Sequence, residues 1–177
     1  FASFGIPVSD GRAVDTVECL DSLLRVVVPA FDIFLVDNGS GAEDVARLSD
    51  YAAGHPERIT FTAFPENYGF TGAHNRLFEQ LVPSRRYEFF LLLNNDAVVE
   101  PDFLERMLAR INPAQRVEMV AARVMKYADR DQVDNLGITF YKCGLASNRK
   151  SPDDPLLGPS VYRRAVAPGS SHLRRVL

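Results

Sequence analysis

Tryptophan is absent from this sequence of 177 residues, and cysteine occurs only twice. Cys19 and Cys143 are too far apart in sequence to form a metal-binding motif, so we expect Cys19 to be a buried thiol in a reducing compartment. The three histidines, His55, His74 and His172, are not spaced as zinc ligands. A zinc site built from these residues is therefore not predicted.

Long apolar runs are also missing. No stretch approaches the roughly 20 apolar residues that span a bilayer, and the first residues do not have the pattern of a signal peptide. The net charge is −3, which does not favour nucleic acid as a partner. The glycine-rich phosphate loops of kinases and of dinucleotide-binding proteins, and the Gly-x-Ser-x-Gly motif of hydrolases, are absent too.

The sequence does contain a regular alternation of strand and helix patterns. Strands are predicted at residues 1–8, 31–36, 58–64, 89–93 and 117–124, and helices between Gly11 and Pro29, at 43–53, at 73–81 and from Pro101 onward. This order predicts an α/β fold with a mostly parallel sheet and helices on both faces. Short antiparallel strands are predicted after residue 125, at 137–141 and 145–146. The apolar face of the first helix is predicted to contain Val14, Val17, Leu20, Leu24 and Val27.

The composition predicts two regions. Residues 1–150 have the pattern of one globular domain, whereas residues 151–177 contain many loop-forming residues, with four arginines and no acidic residue from Ser160 onward. We expect 151–177 to be a loop-rich basic tail.

Polar clusters follow three of the predicted strands, at residues 7–10, 37–40 and 94–96. The carboxyl ends of parallel strands meet at one edge of a sheet, where ligands bind in open α/β folds, so these clusters are predicted to lie together. The loop 66–75 precedes a helix whose N-terminus favours an anion such as phosphate. Asp96 is well placed to hold a divalent cation.

Each cluster also has a purely structural interpretation. Residues 94–96 could form only a turn before the helix at Pro101, and residues 37–40 only a turn and cap for the helix 43–53. His74 and Asn75 could be polar residues of a solvated first turn.

Taken together and in order, these motifs resemble the family-two glycosyltransferases of the GT-A fold, particularly the rhamnosyltransferase-like branch. The resemblance covers about residues 1–150 and rests on Asp37-Asn38-Gly39-Ser40, on the segment 66–75, on Asn94-Asn95-Asp96, and on 101–104. It implies metal-dependent, inverting transfer of a sugar from a dTDP- or UDP-linked donor to a glycan or lipid-linked acceptor. It also implies a role in polysaccharide or cell wall biosynthesis in the cytoplasm, and is compatible with peripheral contact at the inner face of the membrane.

The resemblance further implies roles for individual residues. Asp37 matches the acid that holds the nucleotide base, with Asn38 beside it, and Asp96 matches the last acid of the family's Asp-x-Asp motif, which holds Mg²⁺ or Mn²⁺. The other residues predicted to contact the donor are Pro7, Val8, Asn67, Gly69, Asn75, Asn94 and Asn95.

The general base is where the sequence departs from the family. Similar proteins have an acidic pair well after a Gly-Pro like Gly158-Pro159, but no acidic residue follows Asp154 in this sequence. We therefore expect a chain that is truncated at its C-terminus, with an incomplete acceptor region, and the catalytic base is left unassigned. Two alternatives stay open: a non-catalytic remnant that acts as a binding module, and a nucleotidyltransferase, whose glycine-rich basic loop is poorly matched by Ser9-Asp10-Gly11-Arg12.

Overall fold

The computed structural model describes residues 2–5, 13–27, 30–129, 131–141 and 145–149, and for 2–5, 139 and 140 the backbone only. These residues form two compact units, which divide between Arg106 and Met107. The predicted boundary at residue 150 and the predicted tail 151–177 lie outside the described residues. The same is true of Pro7, Val8 and Cys143.

The first unit is built on a parallel sheet of four strands. Its elements are β1 (Ala2–Gly5), α1 (Ala13–Leu24), β2 (Asp32–Asn38), α2 (Ala42–Ala53), β3 (Ile59–Phe64), α3 (Gly69–Leu81), a 3₁₀ turn (Val82–Ser84), β4 (Phe90–Leu92) and α4 (Phe103–Leu108), the last of which continues into the second unit. The strand order is β3-β2-β1-β4, and every neighbouring pair is parallel. The predicted α/β fold is confirmed.

Strand β2 is covered on both faces, as its run of apolar residues predicts. Val36 packs with Leu77 of α3, Tyr87 and Phe90 in one buried cluster. Ile33 and Leu35, which point to the opposite face, are equally buried. A strand with no solvated face has room for polar side chains only where it ends, and β2 ends with Asp37 and Asn38.

The buried face of α1 differs from the prediction by about one residue. The helix buries Ala13, Thr16, Cys19, Leu20, Ser22 and Leu23. Val14 and Val27, which we expected to face the core, are 56% and 75% exposed. The apolar pattern was misleading because α1 directs Thr16, Cys19 and Ser22 inward, where they bond to a loop that is distant in sequence.

Helix α3 begins four residues earlier than predicted, at Gly69 instead of Ala73. The earlier start is explained by hydrogen bonds that fix the preceding turn. Asn67 Oδ1 accepts from Gly69 N at 2.8 Å, and Asn38 Oδ1 accepts from Tyr68 N at 3.0 Å. These contacts outweigh the low helix propensity of Gly69 and Gly72.

The second unit has no parallel strand among its described residues, so the predicted fifth strand at 117–124 is wrong. Val117 forms only an isolated antiparallel bridge with Asn112, and residues 121–124 are exposed, unlike a central strand. The predicted antiparallel strands are confirmed. In one antiparallel pair β5 (Val124–Met125) lies beside β6 (Val133–Asn135), and in the other β7 (Ile138–Phe140) lies beside β8 (Ala146–Asn148). This unit also has a 3₁₀ turn (Pro113–Gln115).

Candidate functional site

The carboxyl ends of β2 and β4 lie at the same edge of the sheet, which we call the carboxyl edge. Both strands are parallel to β1, which lies between them, and Phe4 is opposite Phe34 on one side and Leu92 on the other. Asp37 is three residues beyond Phe34, and Asp96 is four residues beyond Leu92. Counted from this shared register position, the two aspartates therefore lie at a similar distance along the chain. With strands about 4.8 Å apart, β2 and β4 are separated by about 10 Å.

Asp37 is fully buried, with 0% of its surface exposed. Its Oδ2 accepts hydrogen bonds from the backbone N–H groups of Gly39 at 3.2 Å and Ser40 at 3.0 Å. Its Oδ1 is also buried and has no hydrogen-bond partner among the described residues. A buried carboxylate oxygen without a donor is costly, which makes Oδ1 a candidate acceptor for a ligand N–H group.

The turn interpretation of residues 37–40 holds only in part. Asp37 does bond to the turn, but α2 begins after Gly41, a residue with no side chain to act as a cap. The Asp37 carboxylate therefore stabilises the turn through Oδ2, while Oδ1 has no partner in the part of the chain that the structure describes.

Asn38 joins the end of β2 to the start of α3. Its Nδ2 donates to Asn67 Oδ1 at 3.0 Å and to the Gly69 carbonyl at 3.3 Å, while its Oδ1 accepts from Tyr68 N. Asn38 is buried, whereas Asn67 and Gly69 are exposed. Three of the predicted donor-site residues are thus brought into direct contact, and the N-terminus of α3 is fixed beside the carboxyl edge.

Gly39 permits this contact because any side chain would collide with the facing loop. Its φ is +82°, and a Cβ there would lie 2.6 Å from both Asn67 N and the carbonyl carbon of Glu66. We predict that Gly39→Ala lowers the free energy of unfolding by about 2 kcal/mol or more, because both the clash and the backbone strain must be relieved. Urea unfolding would measure this change.

Gly41→Ala is the matched control for that substitution. Gly41 has φ −66°, and an added Cβ would meet nothing within 4 Å. We expect a change below about 1 kcal/mol at this position. Equal effects at Gly39 and Gly41 would show that the close approach of the two loops is not what requires glycine.

His74 and Asn75 lie in the first turns of α3 and differ in environment. Asn75 is exposed, whereas His74 is buried, so His74 is not part of a solvated turn. Its Nδ1 lies 2.8 Å from the Phe70 carbonyl, to which it donates in the neutral form. Burial lowers the pKa of His74, although the bond to Phe70 opposes this. A neutral His74 therefore stabilises the first turn of α3 at neutral pH.

Residues 94–97 form a tight turn directly after β4. The Asn94 carbonyl accepts from Ala97 N at 3.3 Å. Asn94 and Asp96 are exposed, but Asn95 is only 2% exposed and its Nδ2 donates to Thr16 Oγ1 at 2.9 Å. The predicted contact of Asn95 with a donor stays a prediction, and its side chain is already paired within the protein.

Cys19 is buried against the same turn, as expected for a structural thiol. Its Sγ lies 3.7 Å from the Asn94 carbonyl oxygen. Burial, opposed by a backbone hydrogen bond and assisted by the charge of Asp96, raises the pKa of Cys19 to about 12. The thiol is therefore protonated and unreactive at neutral pH.

Sequence reasoning did not identify Thr16 and Ser22 as part of this region. The only available signal was the spacing of Thr16, Cys19 and Ser22, which places three polar side chains on one helix face. That spacing indicates a polar partner but not which loop supplies it.

The carboxyl edge of this parallel sheet thus brings together a buried carboxylate oxygen with no partner among the described residues, exposed amides and a helix N-terminus. In open α/β proteins this edge is where ligands bind. A family model for glycosyl transferase family 2 matches residues 5–166, so the chain belongs to this family. The GT-A architecture implied by the sequence is thereby supported.

Solved structures show the same fold. The mannosyltransferase PcManGT from Pyrobaculum calidifontis, in complex with GDP-Man and Mn²⁺, has a TM-score of 0.58 and 19% identity over 73% of this chain and 37% of its own. S. aureus TarS has a TM-score of 0.50 and 19% identity, covering 71% of this chain and 23% of its own. This chain thus spans less than half the length of either protein. No curated protein matches its sequence.

Proposed function

We propose that the protein transfers a sugar from a nucleoside diphosphate sugar to a glycan or lipid-linked acceptor, with inversion at the anomeric carbon. The observation that carries the proposal is the buried Asp37 carboxylate, whose Oδ1 has no donor among the described residues. We assign this oxygen to an N–H group of the nucleotide base. Uracil and thymine each offer one imide N–H, so a UDP- or dTDP-linked donor fits, including the dTDP-linked sugar of the rhamnosyltransferase-like branch.

The remainder of the donor would lie along the carboxyl edge. Asn38 and Asn67 fix the start of α3, whose first amide groups and helix dipole favour a diphosphate. Asn75 is exposed in the first turns of the same helix, where its side chain is proposed to contact the ribose or phosphates. The N–H and carbonyl of Gly69 already bond to Asn67 and Asn38, so Gly69 is proposed to let the donor approach closely because it has no side chain. Pro7 and Val8 are proposed to flank the base through their backbone.

The residues present fit a bound Mg²⁺ or Mn²⁺. In the described part of the chain no three His, Cys, Asp or Glu side chains form a metal cluster by themselves. A cation in a phosphate site needs only one or two carboxylates because the substrate supplies the other oxygens. Asp96 and Asn94, both exposed in the turn after β4, offer such oxygens. When bound, the ion would neutralise charge that develops on the departing nucleoside diphosphate.

The chain's own residues would thus hold the base and orient the diphosphate. An inverting transfer also requires a general base for the acceptor hydroxyl, and we assign that role to none of the described residues. None of the described helices is long and apolar enough to cross a membrane. We propose that the protein acts in the cytoplasm, in polysaccharide or cell wall biosynthesis, and that a lipid-linked acceptor is met at the membrane surface.

Ligand-dependent melting tests the proposal. UDP, dTDP and GDP, each at millimolar concentration with Mn²⁺, should be compared with the same nucleotides in EDTA. A ligand at 100 times its Kd adds about 2.7 kcal/mol of stability. For a domain of this size the melting temperature should then rise by about 5–10 °C.

Absence of a shift with every nucleotide would contradict the proposed donor site. A shift without release of nucleoside diphosphate from UDP- or dTDP-sugars would favour a binding module over a transferase. A shift only with nucleoside triphosphate and sugar 1-phosphate together would favour a nucleotidyltransferase.

A further inference from the structure

The turn after β4 directs its side chains alternately outward and inward. Asn94 and Asp96 are exposed, and Asn95 between them is buried. Because consecutive residues of the turn share one backbone, the bond that holds Asn95 also restricts the position of Asp96. The orientation of the exposed carboxylate therefore depends on what Asn95 contacts inside the protein.

The loop that contains Asn95 is bonded to two small polar residues of α1, Thr16 and Ser22. Thr16 and Ser22 are 1% and 0% exposed. Thr16 Oγ1 accepts from Asn95 Nδ2 at 2.9 Å, and Ser22 Oγ accepts from Val99 N at 3.1 Å. Ser22 in turn donates to the Cys19 carbonyl at 2.7 Å. The loop is thus bonded to α1 on both sides of Asp96.

These polar residues are not required for packing alone. A helix that only covered a sheet would bury apolar side chains at those positions, as α1 does at Leu20 and Leu23. Buried hydroxyl groups are costly unless they are hydrogen-bonded, and here both hydroxyls are used on one loop. Such partners beyond a metal's direct ligands hold those ligands in place, and their loss commonly weakens metal binding 10- to 100-fold.

We propose that Thr16 and Ser22 are positioning residues, which act through Asn95 and Val99 to present the Asp96 carboxylate to the cation of the nucleoside diphosphate complex. This inference rests on the proposed function. It assigns Asn95 to the support of the turn and leaves Asp96 and Asn94 to face the ligand. Helix α1 then contributes to metal binding without touching the metal.

The test compares Thr16→Val, which keeps the size of the side chain but removes the hydroxyl, with Thr16→Ser, which keeps the hydroxyl. Calorimetry gives the Kd of UDP, dTDP and GDP in Mn²⁺ and again in EDTA. The Kd in EDTA divided by the Kd in Mn²⁺ is the ratio that measures the contribution of the metal. We expect Thr16→Val to reduce that ratio about 10-fold, with the Kd in EDTA unchanged. Thr16→Ser should stay within about twofold of the wild-type ratio.

A double-mutant cycle tests the route through Asn95. Because Thr16→Val and Asn95→Ala break the same hydrogen bond, the double variant should reduce the ratio no more than the larger single change. Ser22→Ala, which leaves the Thr16 contact intact, should reduce the ratio about threefold. If Thr16→Val does not fold, the Kd ratio of Ser22→Ala against that of the wild-type protein tests the same support of the loop through Val99.

Several results would overturn the inference. A wild-type ratio in Thr16→Val, equal losses in Thr16→Val and Thr16→Ser, or a parallel loss of affinity in EDTA would each show that the hydroxyl has only a structural role. Additive losses in the double variant would exclude the route through Asn95. If the wild-type protein binds none of the three nucleotides, the proposed function itself fails, and the inference fails with it.

Discussion

Asp37→Asn should weaken nucleotide binding about 10- to 100-fold while leaving the fold intact. The direction follows from the two backbone N–H groups of Gly39 and Ser40, which already donate to Oδ2. They will select the oxygen of an asparagine side chain, so that its NH₂ group occupies the place of Oδ1. The NH₂ group of the asparagine would then face the N–H group of the base, and two hydrogen-bond donors cannot pair. The hydrogen bond between the base and the charged carboxylate, worth about 1.5–3 kcal/mol, is therefore lost.

Calorimetric titration of UDP or dTDP with Mn²⁺ measures this effect. Asp50→Asn is the control because it removes the same charge from an exposed position on α2. We expect no change in nucleotide affinity there. Wild-type affinity in Asp37→Asn would mean that Oδ1 does not contact the base.

Asp96→Asn should abolish the dependence of nucleotide binding on metal. The Kd in Mn²⁺ should become equal to the Kd in EDTA, because the carboxylate is the charged oxygen ligand that the turn after β4 offers. Transfer from a nucleotide sugar should fall at least about 100-fold, equivalent to about 2.7 kcal/mol of barrier. Removal of metal from the wild-type protein with EDTA should produce the same loss.

Glu105→Gln provides the comparison for Asp96→Asn. Glu105 is an exposed acid in α4, so this change alters the net charge equally without touching the turn. Metal-dependent binding should persist in Glu105→Gln. Its persistence in Asp96→Asn as well would place the cation elsewhere.

Much of the first unit could be predicted from sequence because its strands are short apolar runs that end at turn residues. Residues 31–36 and 58–64 were predicted as strands, and the structure has Asp32–Asn38 and Ile59–Phe64. Helix α2, predicted at 43–53, occupies Ala42–Ala53. Convergence of residues 37–40 and 94–96 at one edge followed from parallel pairing alone, and the pairing of β1 with β2 and β4 confirms it.

The errors arose where a residue's environment depends on distant partners. The pattern of α1 favoured Val14 over Thr16 as a core residue, because a sequence does not show that Asn95 will pair with Thr16 across the fold. Residues 117–124 are apolar enough for a strand, but nothing within the segment specifies a neighbour. For the same reason the roles of individual site residues stay predictions.

The central place of β1 has a consequence for how the chain folds during its synthesis. Strand β1 precedes both of its partners in the chain, and it pairs with β2 on one side, but its other side waits for β4, since Ala2 lies opposite both Asp32 and Phe90. Until residues near 90 leave the ribosome, a nascent chain would present an open strand edge, a surface prone to aggregation and protected in cells by chaperones. The turn with Asp96 follows immediately after β4, so the cation site that we propose there would form only once β4 has been synthesised.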